Sequence, residues 1–271
     1  MKISLISTIL IFGCIITSTA QQKTDWEILG LKGKIKTLNS TEYPMKEREG
    51  ENLTRLYKYT FNNKGFKTEE TMRDGTERQY TATYKYNAKN QLTEVAIRYT
   101  KSTSTRKYKY DSKNNSITIN FHAPGGSIVS TEKQKLDANG NMIERTIENK
   151  KDKGKNEVVE SYWFKYDDNN KLIEEKRLIG DVETKIESKY DEKGLKTEQT
   201  EYDAKGVPTH WYTYKYTENE DLSEQVVAYK MMDKTIYNYT FNYDNKGNWT
   251  EKREQINGIT ETLTLREVQY F

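Results

Sequence analysis

Few residues in this chain are of types that carry acid–base or covalent chemistry. It has 2 histidines and 1 cysteine in 271 residues. His122 sits in Phe121-His122-Ala123-Pro124-Gly125-Gly126, a turn composition, and His210 precedes Trp211 in a Tyr-rich stretch. The chain contains no Gly-x-Ser-x-Gly elbow and no His-Glu-x-x-His helix, so nucleophilic and zinc mechanisms have no anchor. Both histidines therefore read as structural. Gly125-Gly126 lacks the Lys-Ser/Thr and following helix of a phosphate cradle. Asp137-Ala138-Asn139-Gly140-Asn141 spaces oxygen ligands as calcium loops do, but its glycine comes too early and no helix flanks it, so it reads as a solvated turn. Carboxylates are abundant enough for the pair that glycoside hydrolysis needs, yet Asp111, Asp137, Asp167, Asp191, Asp203 and Asp244 have a simpler role in turns. The sequence predicts no catalytic residue, no cofactor and no metal.

The elements that would position a site must be built from a very polar chain. Only 34% of residues are hydrophobic and mean hydropathy is −1.01. Such a composition suggests disorder, but 21 Tyr, 7 Phe and 4 Trp argue for a thin aromatic core. Lys+Arg number 44 against 41 Asp+Glu, a balance that gives no reason to expect nucleic acid as a partner. At the N-terminus, Lys2, an apolar run from Ile3 to Thr17 and the small residues Ser18-Thr19-Ala20 read as a secretory signal peptide over 1–20. The apolar run is shorter than a membrane span needs. Cys14 follows Ile11-Phe12-Gly13, and Phe12 is wrong for a lipoprotein box, so lipidation is not expected. Cleavage after Ala20 leaves residues 21–271 as one exported domain without cysteine.

One unit recurs: an aromatic, Asp or Asn, two polar residues, Gly or Asn, and usually Glu eight positions after the aromatic. It begins at Phe61, Tyr86, Tyr110, Leu136, Tyr166, Tyr190, Tyr202, Tyr216 and Tyr243, with a period near 25 residues and a half-period copy at Tyr202. Asp111, Asp137, Asp167, Asp191, Asp203 and Asp244 open turns by accepting a backbone N–H two residues on. The residue three later needs positive φ, which Gly65, Gly140, Gly194, Gly206 and Gly247 supply freely and Asn90, Asn114 and Asn170 tolerate. Glu220 breaks the rule, so the Tyr216 unit is the weakest. The lysine-rich stretch 148–155 reads as an enlarged hairpin tip. Strands entering the turns alternate Tyr with Lys or Thr, as in Tyr57, Tyr59 and Phe61, giving one aromatic face and one polar face. The recurrent Glu fits exposed strand positions opposite Lys.

These Tyr-Asp-x-x-Gly-x-x-x-Glu units resemble the YD repeats of the Rhs family over roughly Leu53 to Glu251. The ends, Leu31 to Lys36 and Asn248 to Phe271, are similar to those of short exported bacterial YD-repeat proteins. Large Rhs proteins roll such repeats into a shell around a toxin domain. This chain is too short for that and has no cargo domain. The resemblance implies architecture, and an association with carbohydrate binding by analogy of fold.

The expected fold is all-β: an antiparallel meander of about 16 to 20 strands, strongly twisted and rolled towards a barrel or a spiral. A lipid-facing barrel needs an apolar outer band, and Lys on the non-aromatic face argues against a membrane span. Trp163 and Trp211 fall on that Lys/Thr face. Either a loop, the Trp26-to-Leu29 segment or a sheet edge covers them, or they form an exposed aromatic platform for a sugar or protein. They are the expected ligand-binding residues of a non-catalytic envelope binding module, its partner a glycan or another envelope protein. The alternatives are a purely structural envelope protein and a carboxylate-based glycoside-acting enzyme.

Overall fold

The computed structural model describes residues 23–45, 54–75, 78–150, 156–230 and 232–271. The expected signal peptide, Cys14 and the tip of the lysine-rich hairpin lie outside the described residues. A single turn of helix, α1 (Asp25–Ile28), precedes β1 (Ile35–Pro44), β2 (Arg55–Phe61), β3 (Lys67–Arg73), β4 (Gln79–Tyr86), β5 (Leu92–Tyr99) and β6 (Thr103–Asp111). Then come β7 (Ser116–His122), β8 (Ile128–Leu136), β9 (Met142–Lys150), β10 (Asn156–Tyr166), β11 (Leu172–Ile179) and β12 (Val182–Tyr190). The last third holds β13 (Lys196–Tyr202), β14 (Pro208–Tyr216), β15 (Leu222–Tyr229), β16 (Met232–Tyr243), β17 (Trp249–Ile256) and β18 (Ile259–Tyr270). Each strand pairs antiparallel with its sequence neighbours, and β1 pairs with both β2 and β18. The meander therefore closes on itself as a barrel of 18 strands. Closure leaves no free sheet edge.

The period of the repeat explains its placement. One period spans two strands, so the turns after β2, β4, β6, β8, β10, β12, β14 and β16 share one rim, and the half-period copy after β13 falls on the opposite rim. In the Asp191 turn, Gly194 N–H donates to Asp191 O, Asp191 N–H to Leu195 O, and Leu195 N–H to the Asp191 side chain, all at 2.8–2.9 Å. Asn62, Asn87, Asp137, Asp167, Asp203 and Asp244 repeat this turn. Two expectations need correction. In the Tyr110 unit positive φ falls on Asn115 (+46°), not Asn114, because Asp111 still pairs with Ser116 and lengthens the turn by one residue. Asn114 instead donates its backbone and side-chain N–H groups to the Asp111 carboxylate. The Tyr216 unit keeps the same turn despite its sequence, with Glu220 forced to φ +68° and Thr217 accepting the Asp221 N–H.

Residues directly opposite across a ladder share a face, which separates the two walls. Leu38, Tyr59, Glu70, Ala82 and Ile97 face one another in turn across five strands and form the inner wall. The motif lysines and glutamates line the outer wall as ion pairs: Lys85–Glu94 at 2.7 Å, Lys135–Glu144 at 2.6 Å, Lys189–Glu198 at 2.7 Å and Lys215–Glu224 at 2.8 Å. The two fully buried large side chains, Ile35 and Leu38, lie where β1 closes the barrel. There α1 packs inside the turn-bearing rim: Trp26 meets Phe61 and Phe271, donates its indole N–H to Ile35 O at 3.1 Å, and sits so close to Gly65 that a Cβ there would lie 2.6 Å from its ring. Buried Asn248 grips the incoming segment, accepting from Lys32 N–H at 2.7 Å and donating to Lys32 O and the Tyr270 hydroxyl at 2.8 Å.

Candidate functional site

The motif tyrosine does more than fill the inner wall. At the end of five of the entering strands its hydroxyl donates to the first carbonyl of the strand before it. The bonds are Tyr86 to Lys67 O at 2.9 Å, Tyr110 to Leu92 O at 2.7 Å, Tyr166 to Met142 O at 2.9 Å, Tyr190 to Leu172 O at 2.8 Å and Tyr216 to Lys196 O at 2.8 Å. Tyr243 and Tyr270 vary the theme by donating to the carboxylates of Asp221 and Asp244. These latches tie each hairpin to its neighbour and fix the wall on which other side chains stand. Phenylalanine would fill the same volume, so only the hydroxyl explains the preference for tyrosine.

On that wall, towards the rim opposite α1, strands β3 to β6 form a recess of about 530 Å³. Tyr80, Tyr84 and Tyr99, with Ala82, Val95 and Ile97, give it a mainly apolar lining; its charged groups are Glu70 and Arg106 on the wall and Arg78 and Lys101 at its rim. Tyr80 and Tyr99 meet at 6.3 Å between centroids. Glu70 is buried and accepts from Tyr80 OH at 2.6 Å, Tyr84 OH at 3.0 Å and Lys67 Nζ at 3.0 Å. Burial pushes its carboxyl up, but Lys67 and the three hydrogen bonds outweigh burial and hold it below the ordinary glutamate value. Burial first, and then the adjacent Glu70 charge, raises the Tyr80 and Tyr84 phenols. Glu70 is thus a locked carboxylate at neutral pH and the two phenols are locked donors. The motif spacing from Phe61 assigns Glu69 to the outward position, which leaves Glu70, one residue on, to face inward. The register agrees: Glu70 lies on the phase of Tyr59 and Ala82.

The residues expected to bind ligand lie elsewhere. Trp163 and Trp211 are 40% and 39% exposed on the outer wall. α1 does not cover them, because it packs inside the barrel. They do not form one platform. Lys176, Lys185 and Tyr202 stand between their strands, and four strand spacings amount to about 19 Å. Trp163 borders a shallow recess with Lys165, Glu174, Lys176 and Glu183. Tyr202 also faces outward, its hydroxyl on Glu187 at 2.6 Å and Lys185 Nζ 4.2 Å above its ring. His122 donates its Nδ1–H to Gly126 O, 2.9 Å away, within its turn. His210 stands on the inner wall, edge-on to Tyr229 at 4.9 Å and 3.6 Å from Glu201. The Asp137 carboxylate is taken up by Asn141 N–H and side-chain amide, as a turn requires.

No protein-family model matches the chain, and no curated protein matches it. Among solved structures, a porin-like protein from Bacteroides uniformis is similar at 14% identity and a TM-score of 0.51, with 88% of this chain and 99% of that chain covered. That likeness is one of fold. The toxin complex TcdB2–TccC3 aligns over 82% of this chain but only 15% of its own, at 11% identity and a TM-score of 0.30. The Photorhabdus luminescens Tc holotoxin pore aligns over 78% of this chain and 16% of its own, at 10% identity and a TM-score of 0.20.

Proposed function

We propose that the protein is a short exported YD-repeat barrel of the bacterial envelope that binds a glycan without acting on it. The observation that carries this reading is the inner-wall recess. Its volume, its apolar lining and its few fixed polar groups have the character of a small-ligand site, and tyrosine rings suit the C–H faces of sugars. A non-catalytic role is supported by the state of Glu70, which three donors engage and whose proton is absent at neutral pH. A glycosidase needs two carboxyl groups in complementary states, and this recess offers one, already committed. The charged outer wall is the inverse of a lipid-facing band, which supports an aqueous setting on that side. The exposed Trp163 ledge is a second contact surface on the same reading.

The test is calorimetric titration of the purified protein with a panel of envelope glycans, beside the Tyr80→Ala and Trp163→Ala variants. Saturable binding weakened by Tyr80→Ala places the ligand in the recess, and binding weakened by Trp163→Ala places it on the outer wall. Absence of binding to every glycan by the folded protein would refute the glycan reading and favour a structural role. Turnover of any bound glycan would refute the non-catalytic one.

A further inference from the structure

Four arginines and lysines on the inner wall are neutralised by a neighbouring acid. Arg55 pairs with Glu42 at 2.9 Å, Lys67 with Glu70 at 3.0 Å, Arg145 with Glu132 at 2.9 Å and Arg177 with Glu175 at 2.6 Å. Arg106 is an exception. It faces Val95 and Phe121 across its two ladders, its guanidinium lies 5.1 Å over the Phe121 ring, and among the described residues it makes no hydrogen bond or ion pair. The acid in the recess is already paired, since Lys67 offsets the Glu70 charge and two phenols donate to it. Arg266 also lacks an acceptor for its Nε, but its guanidinium lies flat on the Trp249 ring at 3.3 Å and serves packing there. Arg106, by contrast, lines the recess itself, beside Tyr80, Tyr84 and Tyr99.

We propose that the recess selects an acidic sugar, a uronic acid residue whose carboxylate docks on Arg106 while its ring packs against Tyr80, Tyr84 and Tyr99. The proposal rests on the recess being the ligand site and goes further by naming the ligand's chemistry. A guanidinium presents parallel N–H donors that match a carboxylate in a bidentate pair. Such a pair is stronger away from bulk water, and the apolar lining of the recess supplies that setting. A guanidinium left over on a wall where its neighbours are paired is the part of the recess that a neutral sugar would not use.

The probe is an oligogalacturonate and its fully methyl-esterified form, which share a backbone and differ in that each carboxylate becomes an uncharged, slightly bulkier methyl ester. The wild-type protein is expected to bind the acid at least about tenfold more tightly than the ester, the discrimination of one charge-assisted contact. Arg106→Gln is expected to bind both forms within about twofold of each other, and Arg106→Lys to keep a reduced preference for the acid. Tyr80→Ala should weaken both forms alike. Equal binding of acid and ester by the wild type, or an undiminished acid preference in Arg106→Gln, would overturn the inference and leave the recess as a glycan site. If neither form binds the wild type, the inference fails, and the glycan panel then decides whether the reading of the recess fails with it.

Discussion

The tyrosine latches give the most direct test of how this barrel holds together. Tyr110, Tyr166, Tyr190 and Tyr216 each donate a hydroxyl to a backbone carbonyl at 2.7–2.9 Å. Replacing each with Phe removes the bond and leaves the ring, so core volume is unchanged. A hydrogen bond of this kind contributes about 0.5–1.5 kcal/mol net. The closest latches are two strands apart, about 10 Å, so their effects should add. The quadruple variant is thus expected to lose about 2–6 kcal/mol in urea unfolding, with a lower midpoint and an unchanged m-value. Tyr202→Phe is the internal control. It belongs to the same motif, but its hydroxyl reaches an outer-wall carboxylate, Glu187, and its loss should cost about 0.5 kcal/mol or less, as for an exposed position. A quadruple variant as stable as the wild type, or a Tyr202→Phe cost equal to that of a latch, would refute the latch argument.

Three further outcomes are expected. Glu220 sits at φ +68°, where an L-residue is strained by roughly 1 kcal/mol, so Glu220→Gly should raise the melting temperature, and a fall would show that its side chain matters more than its backbone. Gly65→Ala places a Cβ 2.6 Å from the Trp26 ring at φ +89°; it should cost about 1–3 kcal/mol and red-shift tryptophan emission as α1 leaves the wall, and unchanged emission would mean that α1 is docked more loosely. Glu70 is held below its ordinary pKa, so between its folded value and the unfolded value of about 4.3 the unfolded chain binds the extra proton. Its stabilisation is therefore complete above that unfolded value and lost as pH falls through the folded one. Urea midpoints taken from neutral to acid pH should drop less steeply in Glu70→Gln, and parallel curves would contradict the assignment.

How much of this molecule the sequence discloses depends on whether the controlling chemistry is local. The turns are legible because an Asp or Asn acceptor and a positive-φ residue three places later act within five residues. Even the failures are local: one extra residue shifts the Tyr110 turn to Asn115, and the Tyr216 turn forms around Glu220 because its neighbours in the array already impose the register. Closure is not legible. β1 and β18 are more than 200 residues apart, and whether a curved meander meets its own start depends on twist summed over every strand. The roles of α1 and Asn248 depend on that closure. Of the candidate site, the outward phase of Trp163 and Trp211 could be read by counting, but their separation by three intervening strands could not.

The same distinction bears on function. The repeat dictates only every second strand, the one that enters a motif turn, and on those strands the inner positions are mostly Tyr or Phe. The returning strands carry no motif at their inner positions, and there the sequence is free to place Glu70, Leu92, Val95, Ile97, Arg145 or Glu175. Where a motif strand itself departs from aromatic, as β6 does at Arg106 beside Tyr108 and Tyr110, the departure again faces inward. The outer wall repeats its Lys–Glu pairs with the motif and departs from them at Trp163, Trp211 and Tyr202. Variation on the inner wall of a regular barrel leaves the scaffold intact while changing what the interior can hold. The individuality of this chain is therefore concentrated where Tyr80, Tyr84, Tyr99, Glu70 and Arg106 meet, and substitutions there should alter binding while leaving the closure of the barrel unchanged.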